Sequence, residues 1–117
     1  MSNVNFEHLF SPLQVGPMRV PNRICETTNT NNSSMTPGLI DEHFIAHHAA
    51  KARGGTGWIG GETIVLNSPL PAEAADEFHP GAAAVRIPLY TFPGFVEANA
   101  RFVEATHAAG AVAVFQL

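Results

Sequence analysis

The sequence has 117 residues, a net charge of −4 at pH 7 and a hydrophobic content of 45%, which are ordinary values for a soluble globular protein. Its six lysines and arginines predict no basic surface for nucleic acid, and its single cysteine excludes an internal disulfide framework and indicates a reducing compartment. The N-terminal residues show no secretory signal pattern, and no apolar run approaches the roughly 20 residues of a membrane span, so we predict a cytoplasmic protein with no membrane partner.

A hairpin and a first strand are predicted near the N-terminus. Apolar residues alternate along positions 13–20 on both sides of Gly16-Pro17, which is typical of a short β-hairpin. A strand containing Ile24 and Cys25 follows, and it leads into a polar run from Thr27 to Ser33. That run is rich in uncharged hydrogen-bonding groups, so we interpret it as the wall of a polar ligand site. A solvated loop is the open alternative.

A helix and a second strand come next. Asp41 is the predicted N-cap of a helix that runs to about Arg53 and ends at Gly54-Gly55. One stripe of this helix is predicted to face the core, and it consists of Ile45, His48, Ala49 and Ala52. The near-continuous apolar run at 57–66 predicts a parallel strand buried on both faces.

The last third of the chain is predicted to contain a long loop, a helix and a third strand. Residues 67–93 are rich in Pro and Ala, and we interpret them as an active-site or interface loop rather than a disordered insert. The following helix is predicted to have an apolar face of Phe95, Val96, Phe102, Val103 and Thr106, with Gly110 beyond its end. Residues 111–117 form the third predicted strand, and the alternation of strands and helices predicts a parallel α/β fold.

Three glycines match a nucleotide-binding pattern that their context does not support. Gly55, Gly57 and Gly60 have the spacing of the dinucleotide fingerprint. That fingerprint follows a strand and opens a helix, whereas these glycines end a predicted helix and enter a strand. We therefore interpret them as a helix stop and a tight turn.

The histidines and the cysteine are interpreted as structural. His43, His47 and His48 lie on one predicted helix, but no acidic or cysteine ligand stands at a usual spacing, so we predict no metal site. Cys25 lies in an apolar strand, and we predict a buried structural cysteine rather than a catalytic thiol.

The opening of the chain resembles a known enzyme family. Leu9-Phe10-Ser11-Pro12-Leu13, Gly16-Pro17-Met18 and Pro21-Asn22-Arg23-Ile24 are similar to the start of the NADH:flavin oxidoreductase family, the old yellow enzyme group, which includes 2,4-dienoyl-CoA reductase and trimethylamine dehydrogenase. The resemblance covers nearly the whole chain. It implies that residues 1–117 are the N-terminal portion of an FMN-binding (β/α)8 barrel domain. Such a barrel takes about 250 residues, so we expect a truncated barrel: a hairpin followed by β-α-β-α-β.

The resemblance also implies which residues contact FMN. The segment against the flavin falls on Thr27, Thr28, Asn29 and Thr30, the contact after strand two falls on Thr63, and the glutamine that hydrogen-bonds the isoalloxazine falls on Gln116. Thr30 resembles a branch in which a threonine tunes the flavin through O4, while the Thr27-Thr28-Asn29 run departs from the pattern and leaves the subfamily open. The family's substrate-gripping pair, proton donor and phosphate-binding groups have no counterpart here. We therefore assign no catalytic residue and expect the chain alone to be inactive.

The implied parent protein is an FMN-dependent oxidoreductase of a small-molecule substrate. It would transfer hydride through flavin N5, either from NAD(P)H as electron donor to an activated alkene, or from an amine that the flavin oxidises. Larger relatives add an iron–sulfur cluster and FAD, and the sequence leaves open whether these follow and whether the parent protein is a homo-oligomer.

Two alternatives to this function remain open. One is another phosphate-ligand barrel enzyme such as an aldolase, for which the only lysine, Lys51, is poorly placed on an outer helix. The other is a complete, small, non-catalytic α/β ligand-binding module.

Overall fold

The chain is seen here in a computed structural model, which describes residues 6–29, 38–64, 90 and 93–117. These residues form a mixed α/β structure with no closed barrel among them. In chain order the elements are β1 (Leu13–Val15), β2 (Met18–Val20), β3 (Cys25–Glu26), α1 (Glu42–Arg53), β4 (Trp58–Thr63), α2 (Phe95–Ala108) and β5 (Val112–Gln116). The predicted order of a hairpin followed by alternating strands and helices is confirmed.

The hairpin is the antiparallel pair of β1 and β2. Leu13 pairs with Val20 and Val15 with Met18, so the two strands meet at a tight turn. Gly16 occupies that turn with φ of +56°, a left-handed conformation that glycine adopts without steric cost.

The other strands form a parallel sheet in the order β3-β4-β5. Cys25 pairs with Trp58 in the first ladder, and Trp58 pairs with Val112 in the second. Because all three strands run in one direction, their carboxyl ends lie at the same edge of the sheet. β4 is the central strand, and its residues 59–62 are buried, as the near-continuous apolar run predicts.

Helix α1 crosses from β3 to β4 and has the predicted ends. The Asp41 carboxylate accepts a hydrogen bond of 3.1 Å from the backbone N–H of Phe44, which caps the first turn. The C-terminal turn is closed by Gly54 N–H donating to the Ala50 carbonyl at 3.0 Å, and Gly55 follows with φ of +104°. The predicted stripe is buried together with Phe44.

Helix α2 packs beside α1 through aromatic side chains. The rings of Phe44 and Phe102 lie edge to face with centroids 5.5 Å apart, and the ring of Phe102 also meets that of Phe115 at 5.6 Å. Both Phe44 and Phe102 are fully buried. These two residues therefore form the centre of the core between the helices and the sheet.

Two burial predictions are wrong. Val96 is 70% exposed, because the buried face of α2 follows Ala98, Asn99, Phe102 and Thr106, and Val96 lies outside that face. Cys25 is exposed, because side chains alternate along β3 and the cysteine lies on the face opposite to the helices.

Parts of the predicted elements lie outside the described residues. The second strand was expected over 57–66, and the structure has it as Trp58–Thr63, with Val65 and Leu66 not described. Most of the long loop predicted at 67–93 also lies outside the described residues. Within the part of the chain that is described, no helix is long and apolar enough to cross a bilayer.

Candidate functional site

The described residues among those singled out from the sequence lie at the carboxyl edge of the parallel sheet. Thr27 to Asn29 directly follow β3, Thr63 is the last residue of β4, and Gln116 is the last residue of β5. Thr63 pairs with Gln116 across the ladder, and the N–H of Ile64 donates to the Gln116 carbonyl at 2.9 Å. The structure thus brings Thr63 and Gln116 together, while Thr30 lies outside the described residues.

Residues 22–29 alternate in exposure beyond the short ladder of β3. Arg23, Cys25, Thr27 and Asn29 are exposed, whereas Asn22, Ile24, Glu26 and Thr28 are half-buried. This period of two shows that the chain stays extended through the polar segment. Thr27 and Asn29 consequently share the open face, and Thr28 shares the face of Glu26.

Gly60 allows the polar segment to lie directly against β4. A β-carbon at position 60 would lie 2.5 Å from the backbone nitrogen of Thr28 and 2.7 Å from the carbonyl oxygen of Glu26. No side chain fits at such distances. Gly60 lies inside β4, within the strand that the sequence predicts at 57–66, and its close approach to residues 26–28 makes it a contact of the candidate site.

Asn22 fixes the other end of this stretch. Its amide nitrogen donates to the Gly55 carbonyl at 2.8 Å, and its side-chain oxygen accepts from the N–H of Ile24 at 3.0 Å. A β-carbon at Gly57 would lie 2.7 Å from that side-chain oxygen. Gly57 and Gly60 of the fingerprint-like pattern therefore allow β3 and the residues beside it to approach β4 closely. This supports the interpretation of these glycines as structural and not as a phosphate-binding loop.

Glu26 connects the end of β3 to helix α1. One carboxylate oxygen accepts a hydrogen bond from the Lys51 ammonium, and the other lies 3.2 Å from Nδ1 of His48. His48 is only 2% exposed, and its ring stacks against that of Phe44 with centroids 4.2 Å apart. Burial lowers the pKa of His48 below its usual value, although the neighbouring Glu26 carboxylate opposes this shift. The neutral imidazole is therefore the form that the fold favours.

A second acidic residue is buried beside the site. Glu62 is 1% exposed and directly precedes Thr63 at the end of β4. The sequence offered one signal for this carboxyl group, since an acidic residue interrupts an otherwise apolar and glycine-containing strand. Buried carboxyl groups occur at functional sites more often than in ordinary cores.

The remaining histidines of α1 lie on its outer side. His43 and His47 are exposed, as expected for a solvent-facing surface of an outer helix. Among the residues that the structure describes, no group of three or more His, Cys, Asp and Glu side chains is placed to hold a metal ion.

The chemistry of the sheet edge is polar and mostly uncharged. Thr27, Asn29, Thr63 and Gln116 supply hydroxyl and amide groups, each of which can donate and accept hydrogen bonds. The Glu26 charge is directed to α1, where Lys51 neutralises it. Such an edge suits a ligand with several hydrogen-bonding atoms and no strong local charge.

Comparison with known proteins adds relatives over most of the chain, although no protein-family model matches the sequence. The N,N-dimethylglycine/sarcosine dehydrogenase of Chromohalobacter salexigens is 27% identical over 67 residues, which are 55% of this chain and 10% of that protein. The 6-hydroxypseudooxynicotine amine oxidase of Pseudomonas geniculata N1 is 27% identical with a TM-score of 0.73, covering 94% of this chain and 14% of its own.

Old yellow enzymes are also similar to this chain. The homologue from Zymomonas mobilis is 25% identical with a TM-score of 0.67, and the match covers 93% of this chain and 27% of that one. The enzyme from Pichia sp. AKU4542 is 21% identical with a TM-score of 0.70, and it supports the fold over 94% of this chain and 26% of its own. This chain thus spans about a quarter or less of these four relatives. Over that span, the resemblance to the old yellow enzyme family that the N-terminal residues indicate is confirmed.

Proposed function

We propose that this chain forms one side of the FMN site of a flavin-dependent oxidoreductase, and that its elements are the first part of a (β/α)8 barrel. The observation that carries the proposal is the meeting of polar side chains at the carboxyl ends of three parallel strands. Active sites of such barrels lie at that end of the strands. Three relatives support the same function, because they are named as an old yellow enzyme homologue, an amine oxidase and a dehydrogenase.

The proposed contacts divide between side chains and backbone. Thr27 and Asn29 lie on the open face, so their side chains are proposed to reach the cofactor. Thr28 lies on the face of Glu26 and against Gly60, so its contribution is proposed to come from the backbone. Thr63 and Gln116 extend the polar edge across the neighbouring strands. Thr30 continues the segment in sequence and remains a proposed contact.

The residues present fit FMN in chemical type. The pyrimidine edge of the isoalloxazine offers N3–H, O2 and O4, and hydroxyl and amide groups satisfy such atoms without adding charge. Gly60 lets the backbone of β3 approach β4 closely, so the edge is compact. When bound, FMN supplies hydride transfer through N5, and the protein contributes binding, orientation and the local electrostatic environment.

The proposed overall reaction takes its electrons from NAD(P)H or from an amine substrate. In the first case, the resemblance to old yellow enzymes implies an activated alkene as the acceptor. In the second case, the dehydrogenase and the amine oxidase suggest that the flavin would oxidise the amine. Anaerobic mixing of the flavin-loaded complete protein with NAD(P)H or with sarcosine separates the two, because the true donor bleaches the visible flavin absorbance.

The assignment of Gln116 is tested by substitution in the complete protein that contains this chain. Gln116→Leu leaves flavin hydrogen-bonding atoms unpaired, so FMN binding is expected to weaken by about 1–3 kcal/mol, the cost of such a group. The dissociation constant is measured by the change in flavin fluorescence. Gln14→Leu is the matched control, because Gln14 is an exposed glutamine in the hairpin, where its amide donates to Gly16.

Two results would contradict the proposal. Equal FMN affinity in the Gln116→Leu and Gln14→Leu proteins would remove Gln116 from the site. A purified complete protein that retains no flavin and does not bind added FMN would refute the function as a whole.

A further inference from the structure

We propose that Glu26, His48 and Lys51 form a latch that positions the polar segment 27–29, and that Lys51 also neutralises the Glu26 charge beside the cofactor. The first part concerns the order of the segment and stands independently of the ligand. The second part rests on the proposed FMN function.

The latch joins the last residue of β3 to one face of α1. Lys51 and His48 are three residues apart on that helix, so both reach the same carboxylate of Glu26. The His48 ring is held by Phe44, at a centroid distance of 4.2 Å, and by Phe102 of α2, at 5.8 Å. One of the two partners of Glu26 is therefore a ring packed in the core, and the other is the partly exposed Lys51.

Glu26 is held at its backbone as well as at its side chain. Its backbone pairs with Ile59 of β4, and its carbonyl lies so close to Gly60 that a β-carbon there would be 2.7 Å away. The polar segment begins at the next residue. A segment that starts from a point fixed by one neighbouring strand and one helix loses much of its freedom before any ligand binds, which is the physical meaning of preorganisation.

The charges of the latch matter because β3 ends at the candidate site. Glu26 carries a negative charge and its side chain is 19% exposed, while Lys51 carries the compensating positive charge. Reduced flavin holds more negative charge than oxidised flavin, so an unpaired carboxylate nearby would disfavour reduction and an unpaired ammonium would favour it. The ion pair keeps both effects small.

Hydrogen exchange of the ligand-free complete protein tests the positioning role. Lys51→Met and Glu26→Gln are expected to speed exchange of the Thr27, Thr28 and Asn29 amides, because the segment loses its fixed origin. Lys51→Arg keeps the charge and a donor, so it is expected to restore protection. Glu42→Gln is the matched control, since it breaks an exposed ion pair of the same helix with Arg101 and leaves β3 untouched. If the amides of residues 27–29 exchange at the same rate in Lys51→Met, Glu26→Gln and the Glu42→Gln control, the proposed latch is wrong.

The midpoint potential of the bound flavin tests the electrostatic role. Lys51→Met is expected to lower the potential and Glu26→Gln to raise it, and the double variant is expected to return near the wild-type value. A purely structural role would not give shifts of opposite sign. Shifts in one direction, or none, overturn the neutralising role of Lys51.

FMN affinity separates failure of the latch from failure of the proposed function. The dissociation constant is expected to rise about tenfold in Lys51→Met, the loss typical of a hydrogen bond to a charged group. If residues 27–29 exchange faster but FMN affinity is unchanged, the latch positions the segment and has no role in cofactor binding. A complete protein that neither retains flavin nor binds added FMN would instead refute the proposed function itself.

Discussion

At the scale of single residues, the most constrained position of the candidate site is one without a side chain. Gly60 lies inside β4, and the backbone of Glu26 to Thr28 occupies the space where its β-carbon would be. Because the obstructing atoms are backbone atoms of a neighbouring strand, they cannot move away by changing a rotamer. The backbone at the start of the polar segment therefore packs directly against the backbone of β4 at Gly60.

Gly60→Ala is expected to displace residues 26–28 and to weaken both the fold and FMN binding. Overpacking of this kind typically costs about 1–3 kcal/mol, measured by denaturant unfolding of the complete protein. Gly61→Ala is the control, because its β-carbon would meet side-chain atoms rather than backbone, the Phe102 ring at 3.3 Å and the Phe115 ring at 3.5 Å. Equal losses in the two variants would contradict the proposed close approach.

The residue scale also shows what sequence reasoning could not reach. Thr63 and Gln116 are singled out through the family resemblance, and the structure adds that they pair across the ladder. Glu26 and Lys51 are 25 positions apart in the sequence, and no local sequence pattern predicts their contact. The close contact at Gly60 depends in the same way on tertiary packing.

At the scale of elements, local sequence patterns predict which helices and strands form, and where they end, better than they predict which face of each is buried. The Asp41 cap and the glycines after Arg53 set the limits of α1, because capping is chemistry between near neighbours. Which face of a short strand or helix is buried depends on what packs against it. Cys25 and Val96 were predicted to be buried for their apolar character, and both lie on the exposed side.

The docking of α1 on the sheet should depend on pH through His48. Burial holds the pKa of His48 below 6.5, so the unfolded chain binds a proton more readily than the folded protein. The stabilisation due to the neutral ring is therefore fully present above about pH 6.5 and is lost as the pH falls toward the lowered pKa. Lys51, His47 and Glu26 are the ionisable groups that act on this ring.

His48→Gln is expected to reduce the loss of stability on acidification from about pH 7.5 to about pH 5.5, since it removes the group that must take up a proton. The free energy of unfolding of the complete protein is measured at both values. His47→Gln is the control, because His47 is the exposed neighbour on the same helix. Identical pH dependence in both variants would show that His48 does not titrate as proposed.

At the scale of the whole molecule, a large apolar groove lies along the last strand. It has a volume of about 570 Å³, and its walls include Trp58, Tyr90, Phe95, Val114, Phe115 and Leu117. Within the described residues, β5 pairs only with β4, so one of its edges has no strand beside it. An apolar surface next to an unpaired strand edge favours association.

Residues 1–117 expressed alone are therefore expected to associate and to bind no stoichiometric FMN. Folding costs about 1–2 kcal/mol of backbone entropy for each ordered residue, and an open groove leaves less apolar burial to offset that cost. Size-exclusion chromatography and an FMN titration measure the two outcomes. A monomer that unfolds cooperatively would contradict this expectation and favour the small binding module.

The alternating exposure of residues 22–29 has a consequence for how this stretch can evolve. Each residue of an extended chain faces opposite to its neighbours, so inserting or deleting one residue between Ile24 and Thr27 would exchange the two faces. The acidic anchor would then face away from its helix, and the open threonine would turn toward the core. A substitution changes a single position on one face, whereas a change in length exchanges both faces at once. We therefore expect sequences that share this site to vary in composition along the stretch while keeping its number of residues.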